Sequence, residues 1–430
     1  VKKKNVEAAF RQTVPPQVHE VLQAVGILAR DMGERAFLVG GLVRDLAVGR
    51  SNTDLDIVIE GDALALAGAF ARSTGSLVKS RTRFGTCKIV SRAFGTIDLA
   101  TARSESYRCP GALPDTEASD LHADLARRDF TMNAMAISLD PEGYGQILDP
   151  FDGLSAIGEG KLEILHPASF RDDPTRILRG VRFAARFGFT FERVTLARLR
   201  DCLREAWIDS VSGKRIFTEL RLICLEDEVL KALRLLGKLG ILEAVAPALG
   251  RDALRSRRMR RMARAVAAVR VSAGEAFAED WLCWLGTLFA GLGRRQAVKL
   301  AGRLDLPGRV AETCVWISTG LSGTLAKLSR LTPKDAYRAV KLLRGLSPEE
   351  MVHLFAAAGW RERRLITAYL ETWRHISPSL DGRRVVALGI DEGPAVGRIL
   401  GKLLELRLQG KVTSPEDETA YVKRRVRSRR

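Results

Sequence analysis

Ala36-Phe37-Leu38-Val39-Gly40-Gly41-Leu42-Val43-Arg44-Asp45, followed after a short polar connection by Asp54-Leu55-Asp56-Ile57-Val58-Ile59, organises the first half of this chain. Residues 36–39 and 55–59 are short apolar runs rich in β-formers and read as strands. Between them, Gly40-Gly41 ahead of a helix lets backbone amides approach a triphosphate, and a helix N-terminus favours anions. Side chains at i and i+2 of a strand point to one face, about 7 Å apart along the backbone. Asp54 and Asp56 so placed can hold Mg²⁺, which takes hard oxygen ligands and leaves room for phosphate oxygens and water. A pair of such ions clamps the attacking and leaving oxygens of an in-line displacement.

Outward from this core, residues 62–72 read as a helix, and 87–90 and 96–99 as a hairpin turned at Phe94-Gly95. The second hairpin strand carries a third inward carboxylate, Asp98. Residues 104–120, with Pro110, Gly111 and Pro114, read as a polar loop, and Gln146-Ile147-Leu148 as the last strand of this half. From Ala168 onward apolar residues recur at helical spacing and strand signals nearly vanish. Ile177, Val181, Ala184 and Ala185 form an apolar stripe opposite arginines, and 229–239 and 340–346 read as later helices. The expected fold class is α+β: a palm-like head of small mixed β-sheet with helices over residues 1–153, then an all-α neck over 154–250 and an all-α body and tail over 251–430.

Composition narrows the function. The chain has 430 residues, 46% hydrophobic, with Lys+Arg 69 against Asp+Glu 51, a formal charge of +18. Such a balance suits a polyanionic partner. Two basic clusters stand out: Arg255, Arg257, Arg258, Arg260, Arg261 and Arg264, and the tail Lys423-Arg424-Arg425-Val426-Arg427-Ser428-Arg429-Arg430. Each also reads as a solvated face or a frayed terminus. Aromatics are 6% and not interleaved with these runs, which argues for phosphate contacts and shape recognition over base stacking along a single strand. No run of about 18 apolar residues exists, so no membrane span is expected, and Val1-Lys2-Lys3-Lys4-Asn5 does not open a secretory leader. Six scattered cysteines (Cys87, Cys109, Cys202, Cys224, Cys283, Cys314) form no C-x-x-C pair; small buried hydrophobes in a reducing cytoplasm are expected. The five histidines are dispersed and read as surface or packing residues, His122 being the one to watch. A Walker A motif is absent, and Gly-Gly-x-x-Arg is not the dinucleotide fingerprint, so kinases and dehydrogenases lose ground.

A lone D-x-D is common; its ordered company is not. Gly40-Gly41-x-Val43-Arg44-Asp45, Asp54-x-Asp56, Asp98-Leu99-Ala100-Thr101-Ala102-Arg103 and Arg127-Arg128-Asp129-Phe130-Thr131-Met132-Asn133-Ala134-Met135 come first. Asp149-Pro150-Phe151-Asp152-Gly153, Asp172-Asp173-Pro174-Thr175-Arg176-Ile177-Leu178-Arg179 and Ser212-Gly213-Lys214-Arg215-Ile216-Phe217-Thr218-Glu219-Leu220 follow. From Phe37 to Leu249 the chain resembles the class II tRNA nucleotidyltransferase (CCA-adding enzyme) and bacterial poly(A) polymerase family. The resemblance implies Asp54 and Asp56 as catalytic metal ligands and Asp98 as an accessory carboxylate. It implies nucleotide contacts from Gly40, Gly41, Arg44, Arg103, Arg128, Asp129, Asn133, Asp173, Arg176, Arg179 and Arg182. Arginine gives bidentate contact to phosphate, while Asp and Asn bind hydroxyls.

Asp173 and Arg176, at i and i+3, are expected on one helix face. A carboxylate accepts from an exocyclic amine and a guanidinium donates to a ring acceptor, so one such pair would take CTP and ATP and reject UTP and GTP. The competing reading makes Asp173 an N-cap ahead of Pro174 at N1, with Arg176 a surface partner. Asp172 stands where the family often carries Glu, which leaves that residue's role open. Arg215 and Glu219 are expected to brace the nucleotide-binding helices. The activity implied by the resemblance is Mg²⁺-dependent addition of CMP and AMP to the 3′ acceptor end of tRNA, with complete CCA addition favoured. Addition of CC alone, of A alone, or of a poly(A) tail is the alternative, since the 104–125 loop is somewhat shorter than in some CCA-adding relatives. A non-catalytic RNA-binding protein is the reading from another class.

Overall fold

A computed structural model describes residues 2–81, 85–91, 95–250 and 256–428. Phe94 of the expected turn, Arg255 of the first basic cluster, Arg429 and Arg430 of the tail, and Val1 lie outside the described residues. The chain divides into two compact units, Val1–Glu219 and Leu220–Arg430.

In the first unit, alternating burial builds the sheet. Strands β1 (Arg35–Val39) and β2 (Leu55–Glu60) pair antiparallel, with Val39 opposite Asp56. Strands β3 (Leu77–Arg81), β4 (Thr86–Ser91) and β5 (Gly95–Thr101) extend one side; β8 (Ala136–Ser138) and β9 (Ile147–Leu148) extend the other, in the order β3-β4-β5-β2-β1-β8-β9. The expected hairpin is the antiparallel pair β4–β5. The β2–β5 pair is parallel and sets Asp56 directly beside Asp98. Between β5 and β8 lies a separate two-stranded hairpin, β6 (Arg103–Ser106) and β7 (Asp115–Ala118), inside the stretch expected to be a loop.

Three helices pack around the part of this sheet that carries Asp56. Helix α1 (Gly41–Val48) leaves β1 through the glycine pair. Helix α2 (Ala63–Thr74) follows β2, capped by Asp62, whose carboxylate accepts from the Leu64 and Ala65 amides; such a cap is worth about 1 kcal/mol. Helix α3 (Leu121–Ala126), capped by Asp120, packs Leu121 and Leu125 on Phe37, Val39, Val58 and Ala136, a core on the sheet face that carries Asp56. Helix α4 (Arg176–Phe187) buries Ile177, Leu178, Val181, Ala184 and Ala185, the stripe expected from spacing. Helix α5 (Gly213–Cys224) carries Arg215 and Glu219.

The second unit is helical throughout its described residues. Helix α6 (Ser256–Ala273) turns Met259, Met262, Ala265, Val266 and Val269 inward beside α7 (Asp280–Phe289), buried from Trp281 to Phe289, and α8 (Pro348–Ala357), which buries Met351, Val352, His353, Leu354 and Ala356. A terminal cluster of Leu380, Val385, Ile390, Leu403 and Val422 is closed by buried Glu418, which accepts from the Ser379 and Leu380 amides and pairs with Arg407. No helix among the described residues is long and apolar enough to cross a membrane. All six cysteines are free thiols. Five are buried as expected, but Cys109 is exposed because it sits in the turn of the β6–β7 hairpin.

Candidate active site

The first unit holds a cavity of about 630 Å³ between the end of the sheet, the β6–β7 hairpin and helices α4 and α5. Gly40, Gly41, Arg44, Asp56, Arg128, Asp129, Asn133, Asp173, Arg176 and Arg179 all line it. At its rim the backbone is glycine-specific. Gly40 has φ +79° and ψ −142°, and a Cβ there would sit 2.6 Å from the Asp56 carboxylate. Only glycine lets β1 turn this close to that oxygen.

Asp56 is half-buried and carries an elevated pKa, first from loss of water and then from the neighbouring Asp98 and Asp54 carboxylates. Asp54 is exposed immediately before β2, its amide bonded to Asn52 Oδ1 at 2.8 Å. Asp98 pairs with Lys88 at 3.0 Å. Asp54 and Asp98 do not line the cavity itself; they crowd Asp56 at its mouth. Among the described residues no three or more His, Cys, Asp or Glu side chains form a preassembled metal cage. The arrangement fits a hard divalent cation that takes one or two carboxylates from protein and its remaining ligands from phosphate and water. Mutual repulsion among the carboxylates is what a cation relieves.

The cavity wall is a chain of charge-assisted bonds. Arg44 donates twice to Asp45 (2.8 and 3.0 Å) and once to Asn133 Oδ1 (3.2 Å), and lies over the Phe183 and Phe187 rings. Asn133 Nδ2 donates to Asp129 Oδ1 (2.8 Å), and Arg179 Nε donates to Asp129 Oδ2 (2.7 Å). Burial alone would raise the Asp129 pKa, but Arg179 and these hydrogen bonds outweigh it and hold the carboxyl below its usual range. Arg128 is anchored on fully buried Asp124 (2.9 Å) and on the Asn133 carbonyl (3.3 Å). Desolvation of Asp124 is likewise overcome by Arg128 and Arg127, which lower its pKa.

Asp173 departs from expectation. It is not on the face of a helix with Arg176: its backbone is extended between a short helical turn and α4, which starts at Arg176. Proline at 174 disfavours the helical region for the residue before it. Asp173 Oδ1 accepts from the Thr175 amide (3.0 Å), the Thr175 hydroxyl (2.6 Å) and Arg215 Nη2 (2.7 Å). The capping reading therefore holds in part, with Thr175 rather than Asp173 at the N-cap position. Arg176 is buried, not a surface partner; it donates to Ser169 Oγ (2.8 Å) and to the Arg127 carbonyl (2.6 Å).

Besides Asp54 and Asp98, two more expected residues stand outside the lining. Arg103 points along its hairpin to Glu105 (2.9 Å), and Arg182 lies behind the wall against Glu219 (3.6 Å) and Phe183. Arg215 and Glu219 do not pair with each other. Arg215 joins Asp173 to the Gly111 carbonyl (3.0 Å), and Glu219 meets Arg179 and Arg182 from the next helix. Sequence reasoning missed Glu105, Tyr107 and Phe183, which also line the cavity. Glu105 accepts from Tyr107 (2.7 Å) and from Arg127 (2.9 Å); in sequence it is one of four acidic residues in the 104–120 stretch, with Asp115, Glu117 and Asp120, and nothing local sets it apart.

Known proteins share this build. A family model described as the Poly A polymerase head domain matches residues 36–163, and one described as the probable RNA and SrmB-binding site of polymerase A matches 188–252. An A-adding tRNA nucleotidyltransferase of Geobacter sulfurreducens is 31% identical over 97% of this chain and 48% of its own length. Another, from Halalkalibacterium halodurans, is 43% identical over 53% of each chain. This chain thus spans about half the length of these two relatives. The solved structure of a CCA-adding enzyme in an apo form superposes with a TM-score of 0.84 at 28% identity, covering 97% of this chain and 98% of that one. With fold, ordered motifs and relatives in agreement, the chain belongs to the class II CCA-adding enzyme and bacterial poly(A) polymerase family.

Proposed function

We propose that this chain is a template-independent tRNA nucleotidyltransferase that adds CMP and AMP from CTP and ATP to the 3′ end of tRNA, releasing pyrophosphate. Nucleotidyltransferases of this family generally use a divalent metal ion; Mg²⁺ held by Asp54 and Asp56 is the reading for this chain. The observation that carries it is the crowding of Asp54, Asp56 and Asp98 at the mouth of an arginine-lined cavity. When bound, the ion would neutralise charge developing on the α-phosphate. Arg128, Arg179 and Arg44 would orient the triphosphate from fixed positions, so the site needs no reorganisation during transfer. Gly40 and Gly41 keep the backbone low enough for the phosphates to pass. Asp129 and Asn133 would meet the sugar, and Asp173 with Arg176 the edge of the base. The 3′ hydroxyl of the RNA attacks the α-phosphate in line, and the bond to pyrophosphate breaks.

Residues 1–153 would supply chemistry, 154–250 nucleotide selection and 251–430 the grip on tRNA, in the cytoplasm. Complete CCA addition is the fuller reading. Addition of A alone is a second, favoured by the names of the two relatives at 31% and 43% identity. Incubating tRNA that ends before CCA, and tRNA that ends in CC, with Mg²⁺ and CTP, ATP or both separates them. Extension of both acceptors supports CCA addition; extension of the CC-ended acceptor alone supports A addition. An Asp54→Asn or Asp56→Asn chain that still extended either acceptor would overturn the assignment.

A further inference from the structure

The helical unit contains a second cavity, of about 570 Å³, a size that encloses a single small ligand. Its interior is apolar where Met262, Leu292 and Ile317 face it, and Arg257 and Arg261 stand at its edge. Two polar side chains are buried in its lining: Thr287, whose hydroxyl donates to the Trp284 carbonyl (2.6 Å), and His353. His353 is 3% exposed, and its Nε2 lies 3.0 Å from the Cys283 carbonyl. A carbonyl only accepts, so Nε2 carries the proton. Burial pushes the ring's pKa down to about 4, which leaves it neutral near pH 7 and makes Nδ1 an acceptor. Among the described residues nothing bonds to that Nδ1.

The cations at the edge belong to a longer row. Arg257, Arg260, Arg261 and Arg264 recur at i, i+3, i+4 and i+7 on α6 and are all exposed, so they share one face over about 10 Å. No acidic residue occurs between Asp252 and Glu275. None of the four makes an ion pair or hydrogen bond among the described residues, whereas Arg270, further along the same helix, pairs with Asp280. A free mononucleotide brings its phosphates to one point and would use the two arginines at the cavity edge. A row that runs on past the cavity fits a strand with a phosphate at every residue.

We propose that this unit holds one unstacked nucleotide of the RNA substrate, its base in the cavity with an N–H donated to His353 Nδ1, its phosphate on Arg257 and Arg261, and the flanking phosphates on Arg260 and Arg264. This rests on the proposed function for the identity of the polyanion. The test uses the full chain and a tRNA transcript lacking its 3′ end, with affinity measured from low to moderate KCl. Arg257→Ala/Arg261→Ala lowers the slope of log affinity against log salt by about 0.7 to 0.9, the value for the one phosphate the two arginines share. Ala357→Trp, at a residue lining the cavity, weakens RNA binding on the order of tenfold with the slope unchanged, the loss expected when one base contact goes. Ser322→Trp, at an exposed edge position, does the same without disturbing packing. Parental affinity and slope in the double-arginine and both tryptophan variants overturn the proposal. So does labelled CTP or ATP binding at two sites per chain and dropping to one in Ala357→Trp, which would make the occupant a free nucleotide. Transfer to tRNA is scored separately. Transfer with a parental KM for RNA in every variant removes the cavity reading alone, and RNA-slope changes in a chain that transfers nothing remove the enzymatic reading alone.

Discussion

Replacing Gly40 with alanine tests whether the glycine turn exists to keep Asp56 in place. The backbone at φ +79°, ψ −142° lies in a region that side chains occupy only at about 1–3 kcal/mol. Strain alone would lower stability and nothing else. The added methyl, however, would also sit 2.6 Å from Asp56 Oδ2, well inside contact distance, so the carboxylate must rotate. A displacement of about 1 Å in a positioned catalytic group costs on the order of 100-fold in rate. Gly49 provides the control: its φ is +77° with ψ 32°, and an added Cβ meets nothing within 4 Å. Urea unfolding should show both Gly40→Ala and Gly49→Ala destabilised by about 1–3 kcal/mol. Single-turnover transfer of labelled AMP or CMP, run where each chain is folded, should fall about 100-fold for Gly40→Ala only. Parental rates in Gly40→Ala, or an equal loss in both, would refute the link between the turn and the carboxylate.

Three further outcomes are expected. Arg215→Ala removes a 2.7 Å partner of Asp173 and the tether to the Gly111 carbonyl; a charged hydrogen bond is worth about 1.5–3 kcal/mol, so discrimination of CTP and ATP from UTP and GTP, measured as kcat/KM ratios, should fall roughly 10- to 100-fold. Asp124→Asn leaves Arg127 and Arg128 facing a neutral group in a buried site and should destabilise the fold at pH 7 by about 3–5 kcal/mol. Because the folded-state pKa of Asp124 is depressed, its contribution is present above the unfolded value near 4 and lost as pH falls through the folded value; urea unfolding at pH 7 and pH 3 should show the gap between parent and variant narrowing in acid. Finally, with a formal charge of +18, tRNA affinity should drop steeply with KCl, and a flat response would remove the phosphate-grip reading.

The head was legible where chemistry and periodicity coincide. Strand, glycine turn and helix show themselves in residues 36–48; the period of two leads to the expectation of Asp54 and Asp56 on one side, while β2 itself begins at Leu55 and leaves Asp54 exposed just before it. The parallel register that brings Asp98 beside Asp56 is a tertiary fact, and only the ordered motifs hinted at it. The β6–β7 hairpin stayed hidden because Arg103-Ser104-Glu105-Ser106 and Asp115-Thr116-Glu117-Ala118 are polar on both faces, so no alternation marks them. Strand β8 escaped for the opposite reason: three residues, all buried, carry no period at all. The i, i+3 spacing points to Asp173 and Arg176 on one helix face, but Pro174 disfavours the helical region for the residue before it, and Asp173 is extended. The Arg215–Gly111 bond joins residues 104 apart, which no local pattern reports.

The electrostatics of the cavity explain why its parts occur together. Arg44, Arg127, Arg128, Arg176, Arg179 and Arg215 are each already held by a carboxylate or a backbone carbonyl. They are fixed in direction, and their own charge is largely answered from behind. At the mouth the balance is reversed: burial first, then Asp98 and Asp54, raise the pKa of Asp56, so three carboxylates stand together at the half-buried end. A free triphosphate would be drawn to the wall and repelled by the mouth, and a divalent ion alone would be drawn to the mouth with too few protein ligands to be held firmly. A triphosphate carrying its cation satisfies both ends at once. Neither end is a complete site without the other, and at the Gly40 turn the backbone passes directly against the Asp56 carboxylate in the wall of the same cavity.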